Sequence, residues 1–286
     1  LAPEVSRLPL LPPPPKKRKE HSLCYLQQLG NNDSIKINKY FEYQEEVIMQ
    51  DRIKIPSKEN PELHLTVTPG HFSSDRFHVN YYIDMSNLKM RQKESEMVAK
   101  TMSQRYVSRV NLTQTNMGGS DCAFFSEMAR TFASKTPIDT IICMDGCEVI
   151  GAYVAQELSK LGVSSQNEHK SFYVVSPEFD SSGQMVVRDN IRRMIRNKHV
   201  LVVLATAMSG RTIYKSIKCI TSYGGIVEGI SVIFSVIDNI EGYPVNSVFN
   251  VSDLPDFKLS EPDDCEMCKA GLPMDAIVNS YGYSEL

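Results

Sequence analysis

Residues 199–212, HVLVVLATAMSGRT, decide the fold. After its first residue the stretch 199–204 is apolar throughout, as expected of a strand covered on both faces. It enters 205–210 and then a helix expected to run to about Ser222, which Gly224 and Gly225 close. The turn Met208, Ser209, Gly210, Arg211, Thr212 joins strand end to helix start. Such a turn presents unpaired backbone N–H groups and the positive end of a helix dipole. Ser209 and Thr212 add hydroxyls, Arg211 adds charge, and Gly210 lets the backbone approach a ligand closely. Together they form a candidate phosphate-binding turn.

The pattern repeats on both sides. Residues 138–144 (IDTIICM) read as a short buried strand, followed by the turn Asp145, Gly146, Cys147 and a helix over 148–161 that Gly162 stops. Residues 171–176 (SFYVVS) read as a strand, then a long polar loop and a helix around 189–197. A fourth strand spans 226–237. Upstream, 62–67 (ELHLTV) alternates like a strand, and 88–106 reads as an amphipathic helix. A helix over 121–133 is capped by Ser120 or Asp121, and 40–49 has some apolar periodicity. Buried strands alternating with helices predict an α/β fold, a mainly parallel sheet with helices on both faces. Ligands sit at the carboxyl ends of such strands. That rule singles out Asp145, Gly146, Cys147 and Glu148 beside the turn at 208–212.

Composition sets bounds. The 286 residues are 42% hydrophobic and 23% charged, ordinary for a globular chain, and the net charge of -3 gives no reason to expect nucleic-acid or membrane partners. Nothing approaches the ~18 apolar residues of a membrane span. Residues 1–20, with four consecutive prolines and then Lys16 to Lys19, are expected to form a disordered leader. The basic run lies on the wrong side of the apolar stretch for a signal peptide. Seven cysteines, an odd number, suit a reducing cytoplasm better than a disulfide framework. The expected organisation is the leader, an extension over 21–64, a main domain over 65–264 and a tail over 265–286.

The motifs, in order, resemble those of type I phosphoribosyltransferases. The stretch 202–212 is similar to their phosphoribosyl-diphosphate motif, and 138–151 looks like their diphosphate-loop unit. Gly70, His71, Phe72, Ser73 and Ser74, with 81–84 (YYID), resemble the N-terminal segment of orotate phosphoribosyltransferases. The resemblance covers about residues 65–240. It implies the type I phosphoribosyltransferase fold with an N-terminal hood, Phe72 and Ser74 near a base, and Mg²⁺. It also implies transfer of phosphoribosyl from phosphoribosyl diphosphate to a pyrimidine-type nucleobase, a glycosyltransferase of pyrimidine nucleotide biosynthesis, in a homodimer. Two departures stand out. The family's ribose-binding acidic pair is replaced by Leu204 and Ala205, and the loop 176–183 (SPEFDSSG) carries Glu178 and Asp180 where orotate enzymes carry basic residues. These departures open the alternative of a binding or regulatory module that senses a phosphorylated ligand.

Cys265 and Cys268 could be half of a zinc site or a redox pair. No second Cys-x-x-Cys exists to complete four ligands, and Cys143 and Cys147 could join only if the tail folds back. The tail, with Asn279, Ser280, Tyr281, Gly282 and Tyr283, resembles the C-terminal segments of orotate-type homologues and is expected to be structural. Cys147 lacks a nearby histidine base and reads as a small loop residue. His71 and His78 are expected to be solvated, as is the basic face of Arg188, Arg192 and Arg193.

Overall fold

The computed structural model describes residues 52–74, 76–106, 136–161 and 171–285. The leader, the stretch 40–49 and the helix expected over 121–133 lie outside the described residues. What is described belongs to one compact unit, Arg52–Leu286, which takes in the end of the expected extension and the tail.

The unit begins with strands β1 (Ile53–Pro56), β2 (His64–Ser73) and β3 (His78–Asp84), then helices α1 (Ser86–Met90) and α2 (Gln92–Ser103). β4 (Thr140–Cys143) leads into α3 (Glu148–Leu161), then β5 (Tyr173–Val175), a small hairpin of β6 (Glu178–Phe179) and β7 (Met185–Val186), and α4 (Asp189–Arg192). β8 (His199–Ala207), α5 (Arg211–Ser222), β9 (Ile226–Ser235), β10 (Asn239–Ile240) and β11 (Tyr243–Asn250) follow. The chain closes with β12 (Leu259–Ser260), α6 (Glu266–Lys269), β13 (Ala276–Asn279) and β14 (Gly282–Glu285).

The central sheet has the order β10-β11-β9-β8-β4-β5, parallel from β11 to β5, with β10 turned back on β11. Side-chain alternation along β8 explains why the whole strand is apolar. Leu201, Val203 and Ala205 pack with Val98, Met102, Ile150 and Val154 of α2 and α3. Val200, Val202 and Leu204 pack on the opposite face with Ile213, Ile217 and Ile220 of α5. Both faces are thus covered, as an apolar parallel strand requires.

β8 runs three residues beyond its expected end, to Ala207. Pairing with β9 extends it, through Leu204↔Val232, Thr206↔Phe234 and Ala207↔Ser235. Leu204 and Ala205 therefore belong to the strand interior, each 1% exposed. A carboxylate at Leu204 would be buried in an apolar cluster, which is strongly unfavourable. The polar loop after β5 differs from expectation too, since it folds into the β6–β7 hairpin. Arg188 donates to Glu178, and Asp180 accepts from the backbone N–H groups of Ser182 and Gln184. Both acids of that loop hold the hairpin's own shape.

A second sheet, β12-β3-β2-β13-β14 with β1 on β2, carries the tail into the N-terminal hairpin. β13 pairs parallel with β2 through Ala276↔Phe72 and Ile277↔Ser73.

Candidate functional site

In the central sheet the chain enters at β4, steps outward to β5, then returns past β4 to β8 and continues the other way. The order reverses between β4 and β8. Loops diverge at such a point and leave a crevice at the strands' carboxyl ends. The turns 145–148 and 208–212 follow those two strands.

Asp145 and Gly146 both take left-handed backbone, at φ 58° and 76°. This conformation folds the turn back over the sheet. The Asp145 carboxyl accepts the backbone N–H groups of Ala205 and Thr206, so one side chain ties the two strand ends together. Burial pushes its pKa up, an effect opposed by the Lys89 ammonium and those two N–H groups. Lys89, 2% exposed, donates through Nζ to the carbonyl of Asp145 at 3.0 Å and that of Ser280 at 2.5 Å. A buried lysine with this anchoring fixes a positive charge at the crevice floor.

Above Lys89 lies a cavity of about 170 Å³, lined among others by Ser74, Tyr82, Thr206, Met208 and Tyr281. It is smaller than the ~300–1,000 Å³ of drug-sized sites and suits a single ring. The second sheet roofs it, so the tail helps to build the site.

The structure places the sequence-predicted residues as follows. Ser209, Arg211 and Thr212 are exposed at the start of α5, and Met208 reaches the cavity. Gly210 caps the helix in left-handed conformation at φ 73°. The first-turn N–H groups of α5 have no partner within the helix by construction. Glu148, exposed at the start of α3, accepts from the Ser176 hydroxyl at 2.6 Å. Cys147 is fully buried; burial and the neighbouring Asp145 raise its thiol well above the usual range, which leaves no nucleophile there. Ser74 lines the cavity, whereas Phe72 packs behind it with its ring 6.0 Å from that of Tyr82. Arg188 is engaged with Glu178, and Arg192 with Asp189.

The residues here do not fit a protein-held Mg²⁺. The Asp145 carboxyl is already faced by the Lys89 ammonium and two backbone N–H groups, and Leu204 and Ala205 offer no oxygen side chain. Among the described residues no acidic group of three or more converges at the crevice.

A different cluster does converge elsewhere. His71 and His78, expected to be solvated, are 3% and 5% exposed and meet Cys265 and Cys268 with their ligand atoms within 4.8 Å of one another. Sequence separation hid the grouping, since the histidines lie about 190 residues from the cysteines. The readable signals were a histidine pair in a hairpin and the Cys-x-x-Cys before Gly271. Cys143 and Cys147 are not involved; both lie in the core between the central sheet and α3.

No protein-family model matches the chain, and no curated protein matches it. Solved structures similar to it include orotate phosphoribosyltransferase of Mycobacterium tuberculosis H37Rv, at 14% identity over 67% of this chain and 93% of that one, TM-score 0.40. Adenine phosphoribosyltransferase of Thermoanaerobacter pseudethanolicus is similar at 15% identity over 72% and 98%, TM-score 0.36. Hypoxanthine phosphoribosyltransferase of Trypanosoma cruzi is similar at 12% identity over 56% and 78%, TM-score 0.35.

Proposed function

We propose that the chain is a phosphoribosyltransferase-like protein that takes a phosphoribosylated small molecule at the carboxyl edge of its central sheet. The observation that carries this reading is the switch point between β4 and β8, with Asp145 tying both strand ends beside the cavity over Lys89. A phosphate would sit on the N–H groups of 208–212 with Ser209, Arg211 and Thr212 around it. A ring would enter the cavity. In the finer reading the ligand is phosphoribosyl diphosphate and the chain transfers its phosphoribosyl group to a pyrimidine-type base such as orotate, releasing diphosphate.

A second reading, a sensor of the phosphorylated ligand without transfer, is favoured by one observation. The positions that would carry ribose-binding acids, Leu204 and Ala205, are buried and apolar. Incubating the chain with phosphoribosyl diphosphate, Mg²⁺ and orotate and following orotate absorbance separates the two. Turnover supports the transferase. Saturable binding of phosphoribosyl diphosphate without turnover supports the sensor, and neither binding nor turnover would sink both.

A further inference from the structure

We propose that His71, His78, Cys265 and Cys268 hold a zinc ion in a closed tetrahedral centre that clamps the tail onto the β2–β3 hairpin. The inference is independent of any ligand at the carboxyl edge.

The separations around His71 Nε2 match such a centre. With Zn–N near 2.0–2.1 Å and Zn–S near 2.3 Å, a tetrahedron separates N from N by about 3.3 Å and N from S by about 3.6 Å. His71 Nε2 lies 3.3 Å from His78 Nδ1 and 3.6 Å from each of Cys265 Sγ and Cys268 Sγ. Cys268 Sγ lies 3.2 Å from His78 Nδ1.

The surrounding hydrogen bonds aim the ligand atoms at one another. His71 Nδ1 faces the carbonyls of Leu272 and Pro273 at 3.1 and 3.2 Å, and carbonyls only accept. That contact anchors the Nδ1 edge of the ring and turns Nε2 toward His78, Cys265 and Cys268. Three ligand atoms stand within 3.6 Å of that nitrogen. A cation at their centre satisfies all four groups at once. The carbonyl contact on Nδ1 is also the outer-shell partner that orients a metal-binding histidine.

The backbone is built for the same end. Between Pro69↔Tyr81 and Phe72↔Val79 the β2–β3 register shifts, so Gly70 and His71 oppose Asn80 alone. A bulge of this kind re-aims a side chain, here His71 toward His78. Asp275 of the tail fixes the bulge, accepting the His71 N–H at 2.8 Å and donating its own N–H to the His71 carbonyl at 2.8 Å. Gly70 leaves room for it, since a Cβ there would lie 2.7 Å from Asp275 Oδ2. On the other side Cys265 leads the short helix α6, Cys268 lies within it, and Gly271 turns the chain at φ 70°. Two nitrogens and two thiolates in tetrahedral array select zinc, and the two thiolate charges neutralise it.

The full-length chain, purified under reducing conditions without chelator, is expected to retain about one zinc per chain by elemental analysis. Retention should fall to background in Cys265→Ser/Cys268→Ser. If that variant fails to fold, the wild-type chain stripped by chelator and titrated with Co²⁺ decides the matter. Thiolate-to-cobalt charge transfer and tetrahedral d–d absorption, both abolished by added Zn²⁺, are expected, with a rise in thermal midpoint on Zn²⁺ addition. A different resident metal, undiminished zinc in the folded double variant, a Cys265–Cys268 disulfide in the reduced preparation, or a stripped chain that gives no tetrahedral cobalt spectrum would overturn the proposal.

Discussion

Gly210 carries two requirements at once. Its left-handed φ of 73° disfavours a side chain, and a Cβ would lie 2.6 and 2.7 Å from the Cδ1 atoms of Ile240 and Ile237. Gly210→Ala is therefore expected to cost about 1–3 kcal/mol of folding stability, read as a shift in denaturant midpoint at constant slope. An unshifted midpoint would mean the turn repacks freely. The consequence for function is that a Gly210 variant cannot separate ligand contact from folding, whereas exposed Arg211 can. At this scale the turn at 208–212 was legible as a strand-to-helix junction with exposed hydroxyls and charge, because those residue types stand together in the sequence. The metal-type cluster was not, because solvated and buried histidines have the same local sequence, and only the bulge at His71 distinguishes them.

Helix α3 inverts an ordinary rule. Glycine within a helix is usually worse than alanine by roughly 0.8–1.0 kcal/mol. Gly151, though, sits where a Cβ would collide with Cys143 Sγ of β4 and lie 3.2 Å from Val174 Cγ1 of β5. Gly151→Ala should destabilise by about 1–3 kcal/mol in chemical denaturation; stabilisation would show that α3 does not lie that close to the sheet. The existence of α3, α5 and the buried strands was readable from apolar runs, and the end of α5 from Gly224 and Gly225, whereas Gly162 lies outside the described residues. The extent of β8 was not readable. Thr206 and Ala207 look like loop residues until β9 pairs with them, and that pairing also explains why Leu204 and Ala205 are core residues.

At the scale of the whole molecule, the second sheet unites β2 and β3 with strands some 200 residues later. No local pattern in a polar tail encodes that partnership. Its consequences include the roof of the cavity and an alkaline limit on stability. Burial, followed by the Asp84 charge, raises Tyr82 of this sheet to about 12, and burial raises Tyr106 beneath the central sheet. The folded chain holds these protons more tightly than the unfolded one. Their stabilising contribution is thus complete below the ordinary tyrosine value of 10.0 and declines as pH climbs toward about 12. Denaturation midpoints across that window should fall in step with tyrosinate absorbance, and Tyr82→Phe should flatten the fall. A flat profile in the wild type would place these phenols in water.

The carboxyl-edge site is the centre of the account, and calorimetric titration of phosphoribosyl diphosphate into the wild-type chain and Arg211→Ala tests it most directly. Saturable binding by the wild type, weakened about tenfold or more in Arg211→Ala at unchanged thermal midpoint, is the expected result. No binding by the folded wild type, or equal affinity in the two chains, would contradict a phosphate on the turn at 208–212.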